Sequence, residues 1–283
     1  MRRIFEKFLL YLAMFLVRVV PFQHGETLGK LYFSLLWPLM ISPRKRAIQR
    51  MRLVFVDVSI SECEKILKKS FYNLALTMVE IFYMHLHGKD FFKLIKLKKS
   101  GFKNIKSIKK GGIMVTAHYG NWEICGAFFK KNLDIPLIAV GRAQSNSLLN
   151  DLALETRSKF GMLNLTRHWR DLAKISKIMK KGAVAGLVSD QHSANGIVVD
   201  FMGRPARAFT GAYNLSLKFD CSAVVSIVRR VEWGSFEWVI RPSKKLGKLS
   251  QEEAVQQYSN EIVELIMEEP SQWLWLHNRW KVG

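Results

Sequence analysis

The sequence predicts an α/β fold: a largely parallel central sheet flanked by helices, with a helical amino-terminal membrane-anchoring segment in front of it. Three observations carry this. From Gly111 onward, short β-rich runs alternate with helical patterns, as in strands joined by crossover helices. Two of the runs, IMVTA at 113–117 and AVAGLVS at 183–189, are uncharged and almost wholly apolar, as buried strands are. Ahead of them lie two apolar stretches, 8–17 and 31–41, each too short to span a bilayer as a helix of about 20 residues.

The first stretch follows Met1-Arg2-Arg3 and resembles the start of a signal peptide, but the bulky Val20-Pro21-Phe22 offers no cleavage site. It therefore reads as a retained anchor, interfacial or a short snorkelling span. Arg2, Arg3 and Lys7 flank it on one side, and Arg44, Lys45, Arg46, Arg50 and Arg52 follow the second stretch, as befits an anionic leaflet. The alternative is a pair of ordinary buried helices. The chain divides accordingly into an anchoring segment, 1–42, and a single catalytic-type domain, 43–283, of which 43–110 is a helical and lysine-rich lead-in.

Within the lead-in, 61–87 reads as a helix. Ser61 and Glu64 have capping-box spacing, and Ile66, Leu67, Phe71, Leu74 and Met78 form its apolar stripe. Eight lysines then crowd 90–110, either a solvated face plus a loop or a landing strip for phosphates. Beyond Gly111 the predicted strands are 113–117, 136–140, 183–189, 223–231 and 236–240. The predicted helices are 122–131, 146–160, 169–180, 211–219 and 251–267, the last carrying Glu252, Glu253, Glu261 and Glu264.

Composition bounds the function. The 283 residues carry 44 Lys+Arg against 23 Asp+Glu, a formal charge of +21 with pI near 10.0. Such a surface asks for an anionic partner, whether nucleic acid, an acidic membrane or an acidic substrate. Apolar residues at 49% exclude a disordered chain. Three scattered cysteines, Cys63, Cys125 and Cys221, exclude a disulfide scaffold and a cysteine zinc site and fit a reducing compartment. His85 and His87 are two apart and share no helix face. His24, His168 and His192 have no ligand-spaced companions, so no metal site and no nucleotide or other cofactor is expected.

The chemistry concentrates in TAHYGNWE at 116–123. A buried strand ends at Ala117, His118 follows, and a helix starts near Trp122, which puts His118 where α/β sheets collect ligands. Glu123 falls in the first helical turn, close to the imidazole. A carboxylate on one ring nitrogen leaves the other as a general base. With no local Ser or Cys, the nucleophile would be a substrate hydroxyl or amine. On the residues alone an inert reading stands beside this one: Asn121 caps the helix, Glu123 serves the helix dipole, and His118 merely ends a strand.

His-x-x-x-x-Glu in this setting resembles the first motif of the glycerolipid acyltransferase superfamily, in its lipid A biosynthesis (lauroyl/myristoyl) branch. Other blocks follow in the family's order. Val140-Gly-Arg142 with Thr156-Arg157-Ser-Lys-Phe-Gly161 is similar to its arginine block. Asp190-Gln191 with GIVVDFMG at 196–203 and Pro205-Ala206 is similar to its Asp-Gln and Phe-Phe-Gly-x-Pro-Ala block. Trp275-Leu-His277-Asn-Arg279 resembles its closing signature, and RMRLVFVD at 50–57 with Glu80 its helical amino-terminal section. Asp200 and Met202 depart from the pattern, where the family often has proline and an aromatic.

The resemblance implies an O-acyltransferase on the cytoplasmic face of a bacterial inner membrane. His118, oriented by Glu123, would deprotonate an acceptor hydroxyl, which attacks the thioester of an acyl carrier. A backbone N–H of the 118–121 turn would meet the oxyanion. Arg142, Arg157, Asp190 and Asn121 are the expected substrate-binding residues. The arginines would meet phosphate or carboxylate groups, with surface ion pairs as their bland alternative. For Asp190 the choice is between orienting a ligand or an arginine and capping a strand end. Trp275, His277 and Arg279 read as structural. The implied partners are an acyl carrier protein (or acyl-CoA), a phosphorylated glycolipid and an anionic membrane, with no prosthetic group. A different lipid acceptor is the nearest alternative; nucleic acid is the outsider.

Overall fold

A computed structural model describes residues 2–133, 135–141, 147–166, 169–242 and 244–281. Four helices open the chain: α1 (Arg2–Val19), α2 (Gly25–Leu36), α3 (Ile41–Val54) and the long α4 (Ile60–His87). Then come β1 (Lys96–Ser100), β2 (Gly112–Thr116), α5 (Trp122–Asn132), β3 (Leu137–Gly141), α6 (Ser147–Lys159), β4 (Met162–Thr166), α7 (Trp169–Met179) and β5 (Val184–Val188). The chain ends with β6 (Ile197–Asp200), β7 (Pro205–Ala208), α8 (Gly211–Phe219), β8 (Ala223–Glu232), β9 (Ser235–Ile240) and α9 (Gln251–Glu268).

Seven strands form one sheet in the order β1-β9-β8-β2-β5-β3-β4. The β8–β9 hairpin is antiparallel and every other pair is parallel, so the sheet is largely parallel as expected. Alternate residues of the central strands face opposite layers. Ile113, Val115, Ala185 and Leu187 join one core with α3, α7, α8 and α9. Met114, Val184 and Val224 join the other with α1, α2, α4 and α5. Burial on both faces is why these strands read as near-continuous apolar runs.

The predicted helices and strands all form, with ends shifted by one or two residues. Four strands were not read from the sequence. β1 carries Lys96, Lys98 and Lys99, and such a lysine-studded strand is what a sheet edge needs to resist pairing with another chain. β4 is the opposite edge, and β6–β7 form a separate short hairpin. The cap of α4 also differs from expectation. Ser59, in extended geometry, accepts the Glu62 N–H, whereas Ser61 already lies inside the helix. A full capping box does occur at Ser250 and Glu253, ahead of α9.

The boundary expected at 42/43 cuts α3 near its start. The amino-terminal helices are also not detached from the domain. Val17 and Leu28 are buried in the core with Phe82 and Tyr83, and the Tyr83 hydroxyl donates to the Val20 carbonyl at 2.6 Å. Among the described residues no helix is long and apolar enough to cross a membrane.

Candidate active site

The site follows from strand register. β2 and β5 are adjacent and parallel, with Thr116 opposite Val188. Two residues further on each strand leaves the sheet at its carboxyl end, which sets His118 opposite Asp190. The Asp190 carboxylate takes both groups that His118 offers: Oδ1 lies 2.8 Å from the ring Nδ1, and Oδ2 accepts the backbone N–H at 3.0 Å. A third donor reaches Oδ2 from the far end of the chain, the Trp273 indole N–H at 2.8 Å. Trp273 is brought there by the stretch 272–274, which runs antiparallel to 118–120. Its bonds are Leu274 N–H to the His118 carbonyl (3.1 Å) and Gly120 N–H to the Gln272 carbonyl (3.0 Å).

Asp190 is 1% exposed and His118 21%, so the carboxylate is enclosed while the imidazole keeps an open edge. Burial opposes the charge on Asp190. The adjoining imidazole and the three donors outweigh it and hold the carboxyl below its ordinary range. The ionised acid therefore receives the Nδ1 proton, leaving Nε2 with its lone pair. Gln191 Nε2 approaches that nitrogen at 3.5 Å, and Trp122 packs edge-on to the ring with centroids 5.2 Å apart.

Glu123 does not orient His118. Sequence proximity suggested it, but α5 carries the Glu123 side chain to Arg157 in the last turn of α6, which grips it at 2.8 Å (Nε) and 2.6 Å (Nη2). The pair is mostly buried, and the carboxylate beside Arg157 pushes the guanidinium's pKa up. Both residues expected to meet substrate or base thus meet each other: the anion in the Arg157 fork is the protein's own.

Asn121 is also spent. Fully buried, it caps α5 by accepting the Ile124 N–H at 3.0 Å and donates to Glu80 at 2.7 Å, so it has no face for substrate. Glu80 is bidentate to Arg230 (2.9 and 2.6 Å), which also bonds Thr77 and Asn73. Thr77 in turn holds the Gly120 carbonyl at 3.0 Å. This buried polar knot, all of its members satisfied, fixes the turn between His118 and α5 from behind. Arg230 was not singled out by the sequence; its signal was the Arg229-Arg230 pair late in a strand that opens mostly apolar.

The 118–121 turn offers no backbone donor to an oxyanion. Its four N–H groups go to Asp190, Ala117, Gln272 and Val228. Arg142 lies outside the described residues. His277 and Arg279 sit beside the site: His277 Nε2 accepts the His192 N–H at 3.2 Å, and burial lowers its pKa to about 4. Arg279 is fully buried, stacked over Phe201 and bonded to the Arg207 carbonyl at 2.6 Å. Among the described residues no group of three or more His, Cys, Asp or Glu is arranged to hold a metal ion.

The site is therefore a histidine paired with a buried acid at the carboxyl end of a largely parallel sheet. The family description "Bacterial lipid A biosynthesis acyltransferase" matches residues 1–282, and the chain belongs to that family. It is similar to the lipid A biosynthesis palmitoleoyltransferase of Escherichia coli (strain K12), 26% identical over 252 residues, covering 84% of this chain and 79% of that one. A lipid A biosynthesis acyltransferase of Shigella flexneri matches to the same extent. The lipid A biosynthesis lauroyltransferase of Escherichia coli (strain K12) is 25% identical over 282 residues, 96% of this chain and 89% of that one.

Proposed function

We propose that this protein transfers a fatty acyl chain from an acyl thioester to a hydroxyl of a phosphorylated glycolipid, a lipid A precursor, with His118 as the base. The observation that carries this is the His118–Asp190 pair: Nδ1 held by a buried carboxylate, Nε2 away from it on a ring that is partly exposed. Nε2 takes the proton of the acceptor hydroxyl as its oxygen attacks the thioester carbonyl. The C–S bond then breaks, and the proton passes from Nε2 to the departing thiolate. No acyl-enzyme forms and no prosthetic group is called for. General-base assistance of this kind contributes about 10²–10⁴-fold in rate.

Asp190 takes the orienting role that the sequence assigned to Glu123. Glu123 and Arg157 instead fasten α5 to α6. Arg142 is retained as the arginine for an acceptor phosphate. The donor is an acyl carrier protein or acyl-CoA, both anionic and both suited to a chain of charge +21, and the workplace is the cytoplasmic face of a bacterial inner membrane.

Purified wild type and His118→Ala, given a phosphorylated lipid A precursor with acyl carrier protein or CoA thioesters, test the reading. Turnover by the wild type that His118→Ala abolishes, without loss of fold, is expected. Near-normal turnover by His118→Ala overturns the base assignment. An unchanged lipid A profile in a strain lacking the protein would redirect the acceptor to another lipid.

A further inference from the structure

Attack on a thioester drives negative charge onto the carbonyl oxygen, and a hydrogen-bond donor aimed at that oxygen stabilises the intermediate. The turn that presents His118 cannot supply one, because its N–H groups at 118–121 are bonded to Asp190, Ala117, Gln272 and Val228. Arg157 and Arg230 are spent on Glu123 and Glu80. A side-chain donor does stand at the reacting atom. Gln191 Nε2 lies 3.5 Å from His118 Nε2, and the Gln191 side chain has no other hydrogen-bond partner among the described residues.

The tautomer of His118 dictates how this amide is turned. Asp190 holds the proton on Nδ1, so Nε2 presents a lone pair. A Gln191 carbonyl oxygen would be repelled there, and the amide N–H faces it instead. At 3.5 Å the contact is long for a hydrogen bond, so an acceptor hydroxyl displaces it from Nε2 at little cost. The backbone on both sides of Gln191 is fixed. Asp190 is bound through its carboxylate to His118 and Trp273, and the His192 N–H donates to His277 Nε2 at 3.2 Å. Gln191 itself is half-buried, which leaves its side chain an open side. An amide also carries no charge. An Arg or Lys in its place would depress the basicity of His118, and a carboxylate would repel the developing oxyanion.

We propose that Gln191 is a catalytic residue whose side-chain N–H binds the oxyanion of the tetrahedral intermediate. This deepens the acyl-transfer reading and rests on it. As the acceptor hydroxyl gives its proton to His118 Nε2, its oxygen bonds to the thioester carbon and the C=O π pair moves onto the carbonyl oxygen. Attack begins with the reacting atoms about 3–3.5 Å apart. The carbonyl oxygen is then within reach of an amide that already touches Nε2, at the separation of about 2.7–3.1 Å that a donor needs. The pair returns to carbon as the C–S bond breaks, the Gln191 bond weakens, and the proton passes from Nε2 to the thiolate. Asp190 and Gln191, consecutive at the end of β5, divide the work: one serves the base and the other the charge.

The test is steady-state acyl transfer by purified wild type, Gln191→Met and Gln191→Glu, with melting temperatures measured alongside. Gln191→Met keeps the length of the side chain and removes the donor. It should lower kcat about 10²–10³-fold while KM and melting temperature stay nearly unchanged. Gln191→Glu sets a carboxylate against the oxyanion and should be at least as slow. The same acyl chain is then offered as a dithioester, whose thiocarbonyl sulfur accepts hydrogen bonds poorly. On that donor the gap between wild type and Gln191→Met should shrink by about tenfold or more. A Gln191→Met kcat close to wild type, a loss confined to KM, or an equal gap on thioester and dithioester would overturn the proposal. Wild type that transfers no acyl chain would overturn the proposed function itself. An active wild type matched by Gln191→Met would leave that function standing and remove only Gln191.

Discussion

Asp190 Oδ1 lies 2.8 Å from His118 Nδ1, and the other oxygen of the same carboxylate bonds the His118 backbone N–H at 3.0 Å. One buried acid thereby fixes both the ring and the peptide of the histidine. The two residues are 72 positions apart and meet because adjacent parallel strands end level with each other. Trp273 adds a third hydrogen bond to that carboxylate, tying the closing segment of the chain to the site.

Asp190→Asn tests this arrangement. An amide cannot accept from His118 and Trp273 at both of its atoms, so the Nδ1 proton loses its partner and the productive tautomer is no longer enforced. The expected outcome is a fall of about 10²–10⁴-fold in kcat with a much smaller change in KM. Steady-state kinetics beside a thermal melt would check it; unchanged kcat would remove Asp190 from the mechanism.

The Glu123–Arg157 pair predicts a stability effect with a recognisable pattern. Glu123→Gln leaves a mostly buried guanidinium without its counter-charge and should cost about 3 kcal/mol in urea unfolding. Replacing both partners with apolar residues of similar size should recover much of that loss. A double variant as unstable as the sum of the single ones would contradict the pairing.

Acid should destabilise the fold in two windows. His277 has a folded pKa of about 4 against 6.5 when free, so the unfolded chain binds more protons between those values. Its contribution is complete above pH 6.5 and lost as the pH falls through 4. Asp190, held below its free value of 3.8, adds a further loss at lower pH, as the pH falls through its folded value. Unfolding midpoints measured from neutral pH downward should decline through the first window, and His277→Asn should flatten that decline.

Gly120→Ala should fail for a backbone reason. Gly120 sits at φ 53°, and a Cβ there would run into the Val228 carbonyl, which already accepts the Asn121 N–H. The substitution should lower the melting temperature and displace His118, so activity and stability fall together. Ser107→Ala, on the exposed short 3-10 helix Phe102–Ile108 ahead of β2, serves as a neutral control.

The alternation of apolar strands and amphipathic helices was legible because each element reports its own burial. A strand covered on both faces has to be apolar throughout, and the acidic helix 251–267 has to show its period. β1 was not legible, because an edge strand needs few apolar residues and its lysines read equally well as a loop. β6 and β7, four residues each, are too short to show any period.

The site divides in the same way. The sequence determined that His118 stands at the end of a buried strand, that Asn121 can cap the following helix, and that the ordered motifs resemble one acyltransferase family. It also placed Glu123, five positions away, as the nearest carboxylate. Only the tertiary structure decided which acid serves the histidine. A residue five positions along is carried off by its own helix, here toward Arg157, whereas strand register brings Asp190 opposite from far along the chain. Hydrogen-bond partners are chosen by distance in space, and in a parallel sheet the nearest neighbours come from the adjacent strand.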